Sequence, residues 1–255
     1  MRGITQNEQS RLEQAQAASS CWSCGEVCGL AFCPVCGKIQ PPTAVDYFAF
    51  FGLPKKLNLD LAFLERSFYQ LSRKLHPDLN ARSDEREQQW SLEQSSLLND
   101  AYRTLKDPLR RTEYLLRLES VEFEEQSKNA TEKARSTGEI KHQIVPPELL
   151  ESVFELNMQL EELRGNRKVG QEDPDLSEAV RVQKSELEGK LRSLTEELQG
   201  YWTEWDKFVE RGSEAERGRV RDQMVDLLNR RKYIANLVRD VGEALEASGS
   251  ASSRQ

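Results

Sequence analysis

The chain has 255 residues and a formal net charge of −7, with 37% hydrophobic and 31% charged residues. A chain of this length can build one or two domains with hydrophobic cores, and the composition is typical of a helix-rich protein with much solvated surface. The acidic balance argues against a general nucleic-acid binder, which needs positive charge against phosphates. The sequence contains no run of about 18 apolar residues, so no membrane span is expected.

The first 20 residues carry no apolar segment of the kind that a secretory signal needs. Glu8 and Glu13 are unusual for a mitochondrial presequence, where acidic residues are scarce. We expect residues 1–20 to be disordered or weakly helical. The default location is therefore the cytoplasm or another reducing compartment, which in a eukaryote would be the mitochondrial matrix.

Two Cys-x-x-Cys turns, each followed by glycine, contain four of the five cysteines within residues 21–42. Two such turns facing each other supply a tetrahedral shell of four sulfurs, which predicts structural zinc. The predicted ligands are Cys21, Cys24, Cys33 and Cys36. So short a segment has no hydrophobic core, and a metal would contribute on the order of ten kcal/mol to its folding. Pro41 and Pro42 predict a stiff break after it.

Other readings of the cysteines stay open. Iron in a rubredoxin-like site uses similar turns. Disulfides are disfavoured without a signal peptide, and a redox dithiol would need a βαβ context that the sequence lacks. Cys28, in the loop between the turns, is either a substitute ligand or a free thiol.

A basic amphipathic helix is predicted over residues 60–75, after a short helix capped by Asp46. Pro77 disfavours the helical conformation at the preceding residue, so the helix ends at Leu75. Ser83 is a candidate N-cap for a second helix that ends near Lys106, and Asp107-Pro108 begins another. The apolar positions of the two long helices are Leu61, Leu64, Phe68, Leu71 and Leu75, then Trp90, Leu97, Leu98, Ala101, Tyr102 and Leu105.

His76, Pro77 and Asp78 lie between these two antiparallel helices, and they match the signature tripeptide of the J domain. Residues 43–119 thus resemble the module by which DnaJ-type co-chaperones engage a DnaK-type heat-shock ATPase. The resemblance implies that the tripeptide and the basic side chains of the preceding helix contact that chaperone; these are Arg66, Arg73 and Lys74. A solvated loop histidine is the alternative. A catalytic His-Asp pair is disfavoured, because nothing nearby in the sequence offers a nucleophile.

The stretch from Leu98 to Leu118 resembles, more narrowly, the end of the J domain in the HscB/Jac co-chaperones of iron–sulfur cluster assembly. Apolar residues at steps of three and four predict a three-helix bundle over residues 147–247. The first helix, over 147–163, carries more apolar residues than one stripe needs, so some should be exposed. A polar linker, 120–146, with His142 as a surface residue, precedes the bundle, and residues 248–255 form a tail.

The HscB-type bundle binds the IscU-type scaffold protein on which iron–sulfur clusters are built. Carried over by position, the scaffold-facing residues of this chain are Leu150, Phe154, Glu155, Lys232 and Tyr233. Glu151 and Met158 depart from the family pattern, which has a hydrophobic and an acidic residue there. The alternative is that Leu150 and Phe154 are ordinary core residues.

The sequence therefore predicts an all-α co-chaperone with a small zinc knuckle and no active site of its own. It would stimulate a DnaK/HscA-type ATPase and deliver an IscU-type scaffold, as a monomer or weak homodimer, without membrane or nucleic-acid partners. The rival hypotheses are a general J-domain co-chaperone with other clients, a metal- or redox-sensing cysteine protein, and a zinc-dependent nucleic-acid binder.

Overall fold

The computed structural model of the chain describes residues 19–28, 31–43, 46–81, 83–121, 149–171 and 173–249. They divide into two compact units, the first ending at Ser120 and the second beginning at Val121. The expectations for residues 1–18, for most of the linker with His142, and for residues 250–255 lie outside these ranges. Among the helices within them, none combines the length and the apolarity that crossing a bilayer requires.

The amino-terminal knuckle begins with a two-stranded antiparallel pair, β1 (Ser19–Ser20) and β2 (Val27–Cys28). Strand β1 lies just before the predicted start of the knuckle at Cys21. A second antiparallel bridge joins Phe32 to Ile39. Each Cys-x-x-Cys turn ends at a glycine with positive φ, 77° at Gly25 and 71° at Gly37, which side chains other than glycine rarely tolerate.

Four helices follow in the first unit: α1 (Tyr47–Phe50), α2 (Leu61–Leu75), α3 (Glu85–Lys106) and α4 (Pro108–Leu118). Asp46, Asp60 and Asp107 cap α1, α2 and α4 through their carboxylates. The N-cap of α3 is Asp84, not the predicted Ser83: its Oδ1 accepts the Glu87 N–H at 2.8 Å. A carboxylate here also interacts favourably with the helix dipole.

The antiparallel hairpin of α2 and α3 is confirmed. Its fully buried side chains include Leu64, Leu75, Leu98, Ala101 and Leu105. Phe48, Leu57, Leu115 and Leu116 of the neighbouring segments are buried as well. Burying one large aliphatic side chain stabilises a fold by about 1.5–3 kcal/mol. Phe68 stacks on Tyr102 with 4.1 Å between ring centroids. Leu61, in the first turn of α2, is exposed although it belongs to the predicted stripe.

The second unit contains α5 (Leu150–Lys168), α6 (Pro174–Arg211) and α7 (Glu214–Gly249). Helix α5 continues beyond the predicted end at Leu163, because Gly165 within a helix costs only about 1 kcal/mol. Pro174 occupies the first turn of α6, where proline is tolerated. The core of the bundle is formed by Leu149, Val153, Leu156, Leu160, Val180, Leu187, Tyr233, Ile234 and Val241.

Candidate functional site

The four predicted ligands converge in the knuckle. The Sγ atoms of Cys21 and Cys36 are 3.6 Å apart, as are those of Cys24 and Cys33, and all four sulfurs lie within 4.8 Å of one another. A tetrahedral ion with metal–sulfur bonds of about 2.3 Å would hold its sulfurs about 3.8 Å apart. The sulfurs are too far apart for disulfides, in which about 2.05 Å separates the two atoms. The donor set therefore fits a single metal ion.

The thiols differ strongly in acidity. Burial opposes ionisation of Cys21, but backbone groups of Cys24 and Ser23, with the side chains of Cys36 and Gln40, lower its pKa to about 6. At Cys24, a backbone hydrogen bond from Glu26 favours the thiolate and lowers the pKa. Burial and the neighbouring thiols outweigh this effect and raise the pKa of Cys24 to about 12. Four adjacent thiolates repel one another, so a divalent cation is needed for all to ionise. Bound zinc would supply structural rigidity and no redox chemistry.

Gln40 supports the cysteine cluster from outside, a role that the sequence analysis missed. Its buried side-chain amide donates to Cys21 Sγ at 3.4 Å and to the Lys38 carbonyl at 2.9 Å. Its Oε1 accepts from the thiol of Cys28, also at 3.4 Å. Cys28 lies in β2 and belongs to the surroundings of the cluster rather than to the four converging sulfurs. No sequence pattern marks a single glutamine after a cysteine turn as a hydrogen-bond partner of the cluster.

The knuckle rests on helix α3. Lys38 Nζ lies 2.7 Å from a carboxylate oxygen of Glu87, and this hydrogen-bonded partner raises the pKa of the lysine. The Trp22 ring meets the Trp90 ring edge-on at 5.7 Å between centroids. Polar and aromatic contacts therefore hold the knuckle against the J domain, beyond the predicted stiff break at Pro41 and Pro42.

The His76-Pro77-Asp78 tripeptide lies at the tip of the α2–α3 hairpin. The ψ angle of His76 is 128°, and the 3-10 turn Pro77–Asn80 follows. The side chains of His76 and Asp78 are 55% and 88% exposed, and their Nδ1 and Oδ2 atoms are 3.5 Å apart. The Asp78 N–H donates to His76 Nδ1 at 3.2 Å. The structure thus presents one imidazole and one carboxylate to solvent, as the sequence predicts.

An open groove of about 460 Å³ runs along α2 beside this tip. It is lined by Arg66, Tyr69, Gln70, Arg73 and Lys74, so the three predicted basic residues share one surface. Lys74 Nζ also lies 5.9 Å from the centroid of the Phe32 ring in the knuckle. The groove offers several donors and cationic groups to an acidic partner.

Helix α5 divides its apolar residues between two faces. Val153, Leu156 and Leu160 are buried in the bundle core. Leu150, Phe154 and Met158, four residues apart, are 58%, 67% and 59% exposed. We call these three residues the exposed stripe. Two of its members were predicted for the scaffold-facing surface, and their exposure excludes the alternative that they are core residues.

The other residues of the predicted scaffold-facing surface divide similarly. Glu155 and Lys232 are exposed. Tyr233 is only 7% exposed and packs in the bundle core, so its prediction as a partner-facing ring is wrong. Burial of the phenol also raises its pKa. Tyr233 was assigned to this surface by position in the family resemblance, together with Lys232. Adjacent residues of a helix point to different sides, so Lys232 is exposed and Tyr233 is buried.

Comparisons with known proteins agree with this geometry. Residues 46–114 match the family model of the DnaJ domain. The iron-sulfur cluster co-chaperone protein HscB homolog of Arabidopsis thaliana is 38% identical over 113 residues, which are 44% of this chain and 45% of that protein. The chain spans about half the length of the curated relatives it matches.

Solved structures extend the similarity over both units. Chaperone HscB from Vibrio cholerae superposes with a TM-score of 0.52 at 27% identity, over 80% of this chain and 99% of that one. The human co-chaperone protein HscB gives a TM-score of 0.57 over 88% of this chain and 97% of that one. Its 24% identity supports the fold alone.

The hairpin, its tripeptide and the family match identify residues 46–114 as a J domain. The curated relatives and the Vibrio cholerae structure show that the chain is similar to HscB-type J-domain proteins. It also carries a four-cysteine cluster whose geometry fits a metal ion.

Proposed function

We propose that this chain is a co-chaperone of iron–sulfur cluster assembly that joins two other proteins. Its J domain would stimulate ATP hydrolysis by a DnaK/HscA-type chaperone, and its bundle would bind an IscU-type scaffold. The observation that carries the proposal is the solvent-exposed His76 and Asp78 at the hairpin tip, beside a basic groove. The HscB relatives are named co-chaperones, which supports a role without an active site of its own.

The J-domain tip is suited to binding rather than reaction. The Asp78 carboxylate is free to accept charge-assisted hydrogen bonds from a cationic group of a partner. The groove residues Arg66, Arg73 and Lys74 are exposed and complement an acidic surface. Contacts of this kind would favour the hydrolysis-competent conformation of the chaperone, so the rate would rise through a population shift.

The exposed stripe on α5 is suited to an apolar partner surface. Three large side chains at one spacing present a contiguous apolar face, and burying such area is favourable by about 25 cal/mol per Å². Phe154, at the centre, is the best candidate for an energetic hot spot. Glu155 and Lys232 would contribute polar contacts to the same partner. We assign the knuckle a structural zinc, which requires a reducing compartment to keep its thiols available.

The test uses two substitutions in opposite units. His76→Gln should reduce stimulation of chaperone ATP hydrolysis at least tenfold in single-turnover assays while leaving scaffold binding unchanged. Phe154→Ala should weaken scaffold binding about tenfold or more, as hot-spot truncations do, in a pull-down or calorimetric titration. Val182→Ala, an exposed apolar residue on α6, is the matched control for the second.

Full stimulation by the His76→Gln protein would refute the J-domain role. Equal scaffold binding by Phe154→Ala and Val182→Ala would instead refute the assignment of the exposed stripe. If the wild-type chain stimulates the chaperone yet binds no scaffold, it is a J-domain co-chaperone with other clients.

A further inference from the structure

The buried face of α3 changes character along its length. Its carboxyl-terminal half places Leu98, Ala101 and Leu105 in the core. The positions that continue the same face toward the amino terminus are Glu87, Ser91 and Gln94, which are equally buried. Buried polar groups cost free energy unless they are hydrogen-bonded. These buried polar side chains therefore need hydrogen-bond partners. Partners are found in the knuckle and in the turn at the hairpin tip.

One partner is the knuckle. Gln94 Nε2 donates to the backbone carbonyl of Gln40 at 3.2 Å, and Glu87 binds Lys38. The position of Gln40 is set by the cysteine cluster, because its side chain donates to Cys21 Sγ and its backbone N–H donates to the Ala31 carbonyl at 2.9 Å. Any displacement of the cluster therefore displaces a group that α3 binds.

The other partner is the turn at the hairpin tip. The hydroxyls of Ser91 and Ser95 both donate to the Leu75 carbonyl, at 2.7 and 2.8 Å. Asn80 Nδ2 donates to Ser91 Oγ at 3.2 Å and to the His76 carbonyl at 3.1 Å. A helix end leaves carbonyls without backbone donors, and Pro77 lacks an N–H. Side chains of α3 and Asn80 thus replace the donors that the end of α2 lacks.

Lys38 and Trp22 hold the knuckle against α3, but its internal fold depends mainly on the cysteine cluster. Its buried cluster consists of three of the cysteines, Cys21, Cys28 and Cys33. Folding of such a segment is coupled to metal binding, because the ligands must be brought together and deprotonated. Without the ion, Gln40 would lose the structure that positions it, and the polar half of α3 would lose one of its two partners.

We infer that metal binding in the knuckle fixes the conformation of the His76–Asp78 turn, through Gln40 and the polar half of α3. Ser91, Ser95 and Asn80 are positioning residues for the tripeptide and do not touch the chaperone themselves. The structural part of this inference is independent of the proposed function. Its consequence rests on that function: the metal-free chain should stimulate ATP hydrolysis less than the metal-bound chain.

The decisive measurement is amide hydrogen exchange in the full chain, with zinc and after chelation. The reporters are the N–H groups of Asp78 and Leu79, which bond to His76 Nδ1 and to the His76 carbonyl. Chelation should accelerate their exchange about tenfold or more, while amides in the hairpin core between Leu98 and Leu105 keep their protection. Unchanged exchange at Asp78 and Leu79 in a chain shown to have lost its zinc would overturn the inference.

A double substitution gives an independent arm. Ser91→Ala with Ser95→Ala should accelerate the same two amides with zinc still bound, and chelation should then add little, because the link is already broken. Ser96→Ala, exposed on the same helix, is the control and should behave as wild type. Fully additive effects of chelation and the double substitution would contradict a shared pathway.

Exchange is measured without a chaperone, so this outcome is separate from the proposed function. A chain that passes the exchange test but stimulates no ATPase would refute the proposed function alone. A chain that stimulates equally with and without zinc, at unchanged turn exchange, would refute the inference alone.

Discussion

The knuckle and the helical bundle are stabilised in opposite ways. The bundle core is almost wholly apolar and draws on three helices, whereas the buried cluster of the knuckle consists of cysteines. The bundle can therefore rely on hydrophobic burial, while the knuckle needs an ion and its polar contacts with α3. The comparison teaches that two parts of one chain can depend on different solution conditions.

Metal removal should have the largest effect. A structural zinc site contributes on the order of ten kcal/mol to local folding, so chelation should unfold the knuckle and leave the bundle folded. The check is an NMR spectrum in which the amide signals of Gly25 and Gly37 collapse while those of α6 and α7 persist. Simultaneous loss of both sets would contradict the separation.

Leu156→Ala should destabilise the bundle and leave the knuckle folded. Leu156 is fully buried in the bundle core, and truncating such a residue typically costs about 2–5 kcal/mol. The bundle should unfold at lower denaturant concentration, with zinc content of the chain unchanged. Met158→Ala, two residues away and exposed, is the matched control and should leave stability nearly as it was. Equal losses in the two variants would show that the faces of α5 are misassigned.

Removing the N-cap of α3 should have a smaller effect, on the stability of the hairpin on which the knuckle rests. Asp84→Ala should lower the stability of the J domain by about 1 kcal/mol, because its carboxylate satisfies the Glu87 N–H. Ser83→Ala, the neighbouring residue that sequence reasoning favoured, should change it much less. Denaturant unfolding followed by hairpin amides compares them, and the opposite ranking would restore Ser83 as the cap.

The response of the bundle to alkaline pH should be the smallest effect. Burial raises the pKa of Tyr233, so the folded bundle favours the neutral phenol. Its stabilising effect is complete below the unfolded pKa of about 10 and declines as pH rises above it. Tyr233→Phe should remove part of this decline. Thermal unfolding of both proteins across this range is the measurement, and identical pH profiles would contradict the burial of the phenol.

Predictions from the sequence were most accurate at positions where few residue types can provide the required chemistry or backbone conformation. The cysteine spacing and the proline after His76 each permit few local structures, and the structure confirms the sulfur cluster and the exposed turn. Apolar spacing also predicted the hairpin and the bundle. Each of these features is specified by residues that lie close together in the chain, so it can be recognised in a single sequence.

The residues that were missed depend on contacts between distant segments. The wide apolar set of α5 predicted that some side chains would be exposed, but only packing decides that Phe154 is exposed and Tyr233 is buried. Gln40, Ser91 and Gln94 are ordinary polar residues in sequence. Gln40 and Gln94 are bonded where the knuckle lies against α3, and Ser91 is bonded to the Leu75 carbonyl and to Asn80. No local pattern specifies either arrangement.

The central claim is that one chain connects a chaperone to a scaffold, and complementation in trans tests it most directly. ATP hydrolysis would be measured with chaperone, scaffold and either the wild-type chain or an equimolar mixture of the His76→Gln and Phe154→Ala proteins. The account predicts that adding scaffold raises the rate further with the wild type but not with the mixture, because each variant retains only one of the two surfaces. Recovery of wild-type stimulation by the mixture would contradict it.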